Sequence, residues 1–187
     1  MSTTTSLKNH FLVAMPGLTD PTFAGALIYL CEHSIEEGSM GLVVNKPLAI
    51  TWANVFQKLM KSDFKGSDEP VLIGGPVEVE RGFVLHTNSA QRWESSMRIT
   101  KDLLMTTSTD VIAALGQGDG PDKALICLGY AGWEPGQLEE EIANNAWLSL
   151  PSDLDILFNT PMEDRAVAAA KSIGVDLNLL SADSGHA

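Results

Sequence analysis

The run Ala124-Leu125-Ile126-Cys127-Leu128 constrains this chain more than any other stretch. It is short, unbroken and apolar, and turn residues bound it, which suits a strand covered on both faces rather than one alternating between core and water. Such a strand needs packing layers above and below, and the rest of the chain must supply them. Gly129 and Gly132 follow, around Tyr130 and Trp133. They predict a tight aromatic turn, because glycine reaches dihedrals closed to other residues. Pro135 then fits the first turn of a helix, where its missing N–H is no loss and acidic side chains oppose the positive end of the dipole. Leu138 and Ile142 share one face of that helix, with Glu139, Glu140 and Glu141 mostly turned to water.

Upstream, three short apolar runs read as strands: His10–Met15, Gly25–His33 and Met40–Asn45, the last two as an antiparallel hairpin. Lys46-Pro47 ends the third, and Thr51 caps a helix to about Lys61 with Val55, Phe56 and Leu59 as its apolar stripe. Val71–Ile73, Phe83–His86, Met97–Ile99 and Leu103–Thr106 predict further strands, with the glycine-rich loop Gly74–Gly82 between the first two. A helix begins at Thr109-Asp110 and stops at Gly116, and an alanine-rich one runs from Met162 to Ser172. Trp147–Leu150 and Ile156–Phe158 fit either strand or helix. Strands dominate the first half and alternate with helices in the second, which predicts an α+β fold with helices packed on a mixed sheet. The 187 residues correspond to one domain, at roughly 150 residues per domain, with residues 1–6 and 181–187 expected to be flexible.

Charge narrows the function classes. Lys and Arg number 12 against 24 Asp and Glu, a formal net charge of −12. Nucleic-acid affinity rests on clustered cations that neutralise phosphates, and here the basic residues are scattered, so direct DNA binding is opposed. No stretch approaches the ~20 apolar residues of a membrane helix, and no basic leader with an apolar segment opens the chain, so a cytoplasmic protein is expected. Cys31 and Cys127 lie far apart and are expected as thiols. The four histidines and two cysteines show no metal-ligand spacing, so neither a metal nor a cofactor is expected.

Four places can carry chemistry. In Cys31-Glu32-His33, strand alternation puts Cys31 and His33 on one face, where an imidazolium would favour a thiolate; a buried core cysteine is the alternative. Asn45-Lys46-Pro47 sets a polar pair at a strand end, with Lys46 as an anion anchor or simply a solvated lysine at a turn. Glu78 and Glu80 alternate beside Arg81, a pattern for paired carboxylates or for an ordinary charged edge strand. Tyr130 and Trp133 border a glycine-lined turn ahead of a helix N-terminus, which can hold an anion or serve only to cover the sheet.

The segments GYAGWEPGQLEEEI, GLVVNKP, GGPVEVERGFVLH and PGLTDPTFAGALIYLCEH stand in order along nearly the whole chain. Together they resemble the YqgE/AlgH family of small bacterial proteins, some of whose members carry the label of transcriptional regulator. The resemblance implies a curled, barrel-like sheet with flanking helices. The expectation is a non-enzymatic regulatory or binding module for a protein or small-molecule partner, possessing ligand-binding candidates Asn45, Lys46, Glu78, Arg81, Tyr130 and Trp133, and affecting transcription indirectly if at all. The alternative is a thiol-based redox sensor or enzyme using Cys31 with His33.

Overall fold

The computed structural model describes residues 5–61 and 63–183. Its strands are β1 (His10–Ala14), β2 (Leu27–Ser34), β3 (Gly38–Val43), β4 (Pro47–Thr51), β5 (Pro70–Ile73), β6 (Val77–Thr87), β7 (Ser96–Arg98), β8 (Leu103–Thr106), β9 (Ala124–Trp133) and β10 (Trp147–Pro151). Its helices are α1 (Trp52–Leu59), α2 (Asp110–Gln117), α3 (Gln137–Ala143), α4 (Leu154–Phe158), α5 (Arg165–Ser172) and α6 (Leu177–Asp183). The strands form one curled half-barrel in the order β10-β1-β2-β3-β9-β6-β8-β7, with β4 attached through β5 to β9. The β5–β9 pair is parallel and the other pairs are antiparallel, so the sheet is mixed and the fold α+β, as expected.

The central strand is covered on both faces. Ala124 and Ile126 pack with Phe56 of α1 and with Val111 and Ile112 of α2. Leu125 and Cys127 face the opposite layer, with Phe11, Tyr29, Leu157 and Ala169. Beyond Leu128 the structure departs from the expected turn, because the strand continues to Trp133. Gly129 adopts φ +74°, and a Cβ there would sit 2.3 Å from the Gly75 carbonyl oxygen. Only glycine fits so close an approach, and it bends the strand without ending it. Before the bend β9 pairs with β5 and β6; after it, Ala131–Trp133 pair with β3. This change of neighbours lets one strand serve two parts of the curl.

Other differences have similar local causes. The expected loop at Gly74–Gly82 is largely the start of β6, whose Val77–Arg81 portion is exposed. Pro47 opens β4 rather than ending extended structure; as an edge-strand residue it has no ladder bond to lose. Helix α2 passes through Gly116, whose lack of a side chain admits Phe56 and Met60, and ends at Gly118 with φ +82°. Thr51 caps α1 as expected, in a reciprocal box with Asn54. The two ambiguous runs become β10, paired with β1, and α4, capped by Asp153. Ser181–Asp183 close α6 where a loose tail was expected, and residues 1–4 and 184–187 lie outside the described residues.

Helix α3 covers the second face of the β1–β2–β3 region. Leu138 is fully buried there with Leu12, Ile28, Leu30, Val43, Trp133 and Trp147, a burial that contributes about 2 kcal/mol. Two members of its acidic triplet do not face water as expected. Glu141 Oε2 accepts hydrogen bonds from both indole N–H groups, Trp133 at 2.9 Å and Trp147 at 2.8 Å. Glu139 reaches His33.

Candidate functional site

Strand β2 contains a bulge between Leu30 and Glu32. A bulge inserts one unpaired residue and resets the alternation of faces. Cys31 therefore keeps the face of Leu27 and Tyr29 in the main core, while His33 turns to the face covered by α3. The expectation that Cys31 and His33 share a face is not met. Cys31 is fully buried, and burial pushes its thiol far above the ordinary value, helped by the neighbouring Cys127 and Glu32. Burial likewise pushes Cys127 up to about 12. Both are free thiols held neutral by the core.

His33 is an anchor. Its Nδ1 accepts from the Leu7 N–H at 3.0 Å, which leaves Nε2 as the donor to Glu139 Oε1 at 2.7 Å. The ring is 3% exposed and ties the N-terminal segment, β2 and α3 together.

Asn45 and Lys46 also hold backbone. Asn45 Oδ1 accepts from the Leu27 N–H at 2.8 Å, and its Nδ2 donates to the Gly25 carbonyl at 2.9 Å. Lys46 Nζ donates to the Thr22 carbonyl at 3.0 Å and the Pro21 carbonyl at 3.4 Å. The pair fastens the Pro21–Leu27 loop to the end of β3.

The remaining candidates converge on one cleft of about 790 Å³ between the β2–β3 turn, the start of β6 and the end of β9. Glu78, Arg81, Tyr130 and Trp133 line it, together with His33. Phe83 and Tyr130 form an edge-to-face pair, ring centroids 5.6 Å apart, and pack with Met40 against the core. Arg81 lies over Phe83, 5.3 Å from the ring centroid, and donates to Glu78 Oε2 at 3.1 Å. Both ends of that ion pair are about half exposed, so it stabilises by ~1 kcal/mol at most. Glu78 holds φ +48°, an uncommon conformation for a side chain of its size. Trp133 borders the cleft, while its N–H is committed to Glu141.

Three carboxylates that sequence reasoning left aside complete the cleft: Glu32, Glu37 and Glu134. Glu32 pairs with Lys8 Nζ at 2.8 Å. Glu37 and Glu134 have no ion-pair partner among the described residues. Four lining glutamates less the two cations Lys8 and Arg81 leave a surplus of two negative charges. The only local signal was the acidic hairpin Glu36-Glu37, since the other members come from separate strands. No group of three metal-ligating side chains occurs among the described residues, and none of the described helices is long and apolar enough to cross a membrane.

The architecture is that of a curled α+β half-barrel built on a bent central strand. This chain belongs to the AlgH-like family, whose model matches residues 11–178. A UPF0301 protein of Saccharophagus degradans is 49% identical over 183 residues, covering 97% of this chain and 89% of that protein. Another, from Thioalkalivibrio sulfidiphilus, is 49% identical over 188 residues and covers both chains completely. The solution structure of the AlgH protein from Pseudomonas aeruginosa, 47% identical, covers 100% of this chain and 99% of its own with a TM-score of 0.78. A crystal structure from Corynebacterium diphtheriae, 22% identical, shares the fold over 92% of this chain and 90% of its own with a TM-score of 0.74.

Proposed function

We propose that this protein is a non-catalytic binding module that takes a cationic segment of a protein partner into the cleft at Glu78–Arg81. One observation carries the reading: two uncompensated carboxylates, Glu37 and Glu134, line the same cleft as the half-buried ring of Tyr130. A lysine or arginine side chain gains from both features, the carboxylates through charge and the ring through its π face. A net charge of −12 extends that attraction and repels phosphate backbones. Any effect on transcription would then pass through a protein partner. Two free thiols fit a reducing, cytoplasmic setting.

The test is a titration of the full chain with arginine- and lysine-bearing peptides, read by amide chemical shifts. Shifts should map to the β2–β3 turn, Tyr130 and Glu134, and weaken with salt. Replacing Glu37→Gln and Glu134→Gln together should reduce affinity about tenfold at physiological ionic strength. Equal binding of acidic peptides, or a basic-peptide footprint away from the cleft, sinks the proposal.

A further inference from the structure

Arg165 opens α5 and is 7% exposed. A cation in that position faces the positive end of the helix dipole, so the helix itself opposes it. Burial adds a second cost, because a charge taken out of water needs compensation. Part of it is present: Nε donates to the Thr160 carbonyl at 3.0 Å and Nη1 to the Val44 carbonyl at 2.6 Å. Both acceptors are neutral. Among the described residues no carboxylate lies within 4.0 Å of the guanidinium, and Nη2 makes no hydrogen bond. Glu69 and Glu163 act on it only from a greater distance.

The same arginine lines a cavity of about 430 Å³ between β5, the start of β9 and the connection from α4 to α5. Trp52, Leu72, Leu125 and Met162 give it apolar walls, and Lys123 adds a second cation. The size lies within the range of small-molecule sites, and apolar walls with a few polar groups are their usual composition. This cavity shares no lining residue with the acidic cleft.

We infer that the cavity binds a small organic monocarboxylate with an apolar body, its carboxylate held by the free edge of Arg165. Nη2 and the remaining Nη1 hydrogen form the fork that matches a carboxylate. Charge selects among anions. Arg165 and Lys123 balance Glu69 and Asp122 among the lining residues, so a monoanion is accommodated more easily than a phosphate dianion. The apolar walls then reward a ligand with a ring or short chain over a bare anion.

Titrating the labelled full chain with benzoate, acetate and inorganic phosphate at constant ionic strength tests this, with the Arg165 Nε–H and Trp52 indole resonances as reporters. Benzoate should give saturable shifts at both, with affinity about tenfold above acetate or phosphate. Arg165→Lys should weaken benzoate about tenfold, because the fork is lost while the charge remains. Should that variant not fold, Lys123→Gln, at an exposed position, should still weaken benzoate severalfold, and Trp52→Ala should narrow its advantage over acetate. Absence of saturation in the millimolar range overturns the inference. So does phosphate binding as well as benzoate, or shifts confined to the arginines Arg92 and Arg98 of a separate cavity.

Discussion

Glu141→Ala should be among the most damaging single changes to a charged residue in this protein. One oxygen, Oε2, accepts both indole N–H groups, and Oε1 accepts from Gln137 Nε2 at 2.9 Å. Trp133 and Trp147 are 7% and 4% exposed, so neither indole can turn to water without opening the layer beneath α3. A hydrogen bond to a charged group contributes about 1.5–3 kcal/mol, and taking the low end for each indole gives a loss of about 3 kcal/mol. That is a large share of a domain stability of ~5–15 kcal/mol. Glu141→Gln keeps an oxygen for both indoles but sets its amide nitrogen against Gln137, so about 1–2 kcal/mol is expected. Urea unfolding followed by far-UV circular dichroism measures both, since tryptophan fluorescence would itself change. The exposed Glu140→Ala serves as control and should stay within ~0.5 kcal/mol of the parent. If Glu141→Ala unfolds at the same urea concentration as Glu140→Ala, the clamp contributes nothing and the reasoning fails.

Gly129→Ala combines a disfavoured φ with a Cβ 2.3 Å from a carbonyl oxygen, and should cost about 3–5 kcal/mol in urea unfolding or prevent folding. Cys31 and Cys127, both 0% exposed, should resist alkylation in the native protein and react fully in denaturant; native labelling of either at a free-thiol rate contradicts the packing. His86 is 1% exposed, and burial lowers its pKa although the Thr87 carbonyl pulls it upward. The unfolded chain then protonates first, near pH ~6.5, so His86 favours folding above that pH and stability falls as the pH drops below it. Urea midpoints of the parent and His86→Gln should converge between about pH 7.5 and 5.5, and a constant gap would exclude the assignment.

What was legible in the sequence follows from what burial writes into it. Ala124–Leu128 announced a strand covered on both faces, because two apolar layers demand an unbroken apolar run. Gly129 was misread because a positive φ looks the same, residue by residue, in a turn and in a bent strand; the Gly75 backbone that distinguishes the two lies far away in the chain. Cys31 and His33 were misread for the opposite reason. A bulge is a property of a strand pair, and β2 gives no sign of it until β3 is laid alongside. Glu78 and Arg81 on one segment and Tyr130 and Trp133 on another were candidates for separate reasons, and only the fold brings them into one cleft. Asn45 and Lys46 looked the same in sequence yet hold a loop, since the carbonyls they bind come from residues Pro21 to Gly25. Arg165 left one trace, a cation at the wrong end of an alanine-rich helix, and that anomaly marks a residue retained against local preference.

The bend in β9 also explains why this one strand borders two separate cavities. Ala124 and Leu125, before Gly129, line the cavity that contains Arg165. Tyr130, Gly132 and Trp133, after it, line the acidic cleft. A straight strand would keep one set of neighbours along its whole length. By changing neighbours at Gly129, β9 sets its first half against β5 and the later part of β6 and its second against β3 and the start of β6, and each half then meets a different layer of helices. The α1–α2 layer and the main core enclose the first half; α3 covers one face of the second. The different charge character of the cavities, one balanced and one acidic, follows from this division, since the strand itself contributes no ionisable group but Tyr130 and Cys127. Charge enters from the segments that each half recruits: the β2–β3 turn and β6 bring glutamates, and the start of α5 brings an arginine.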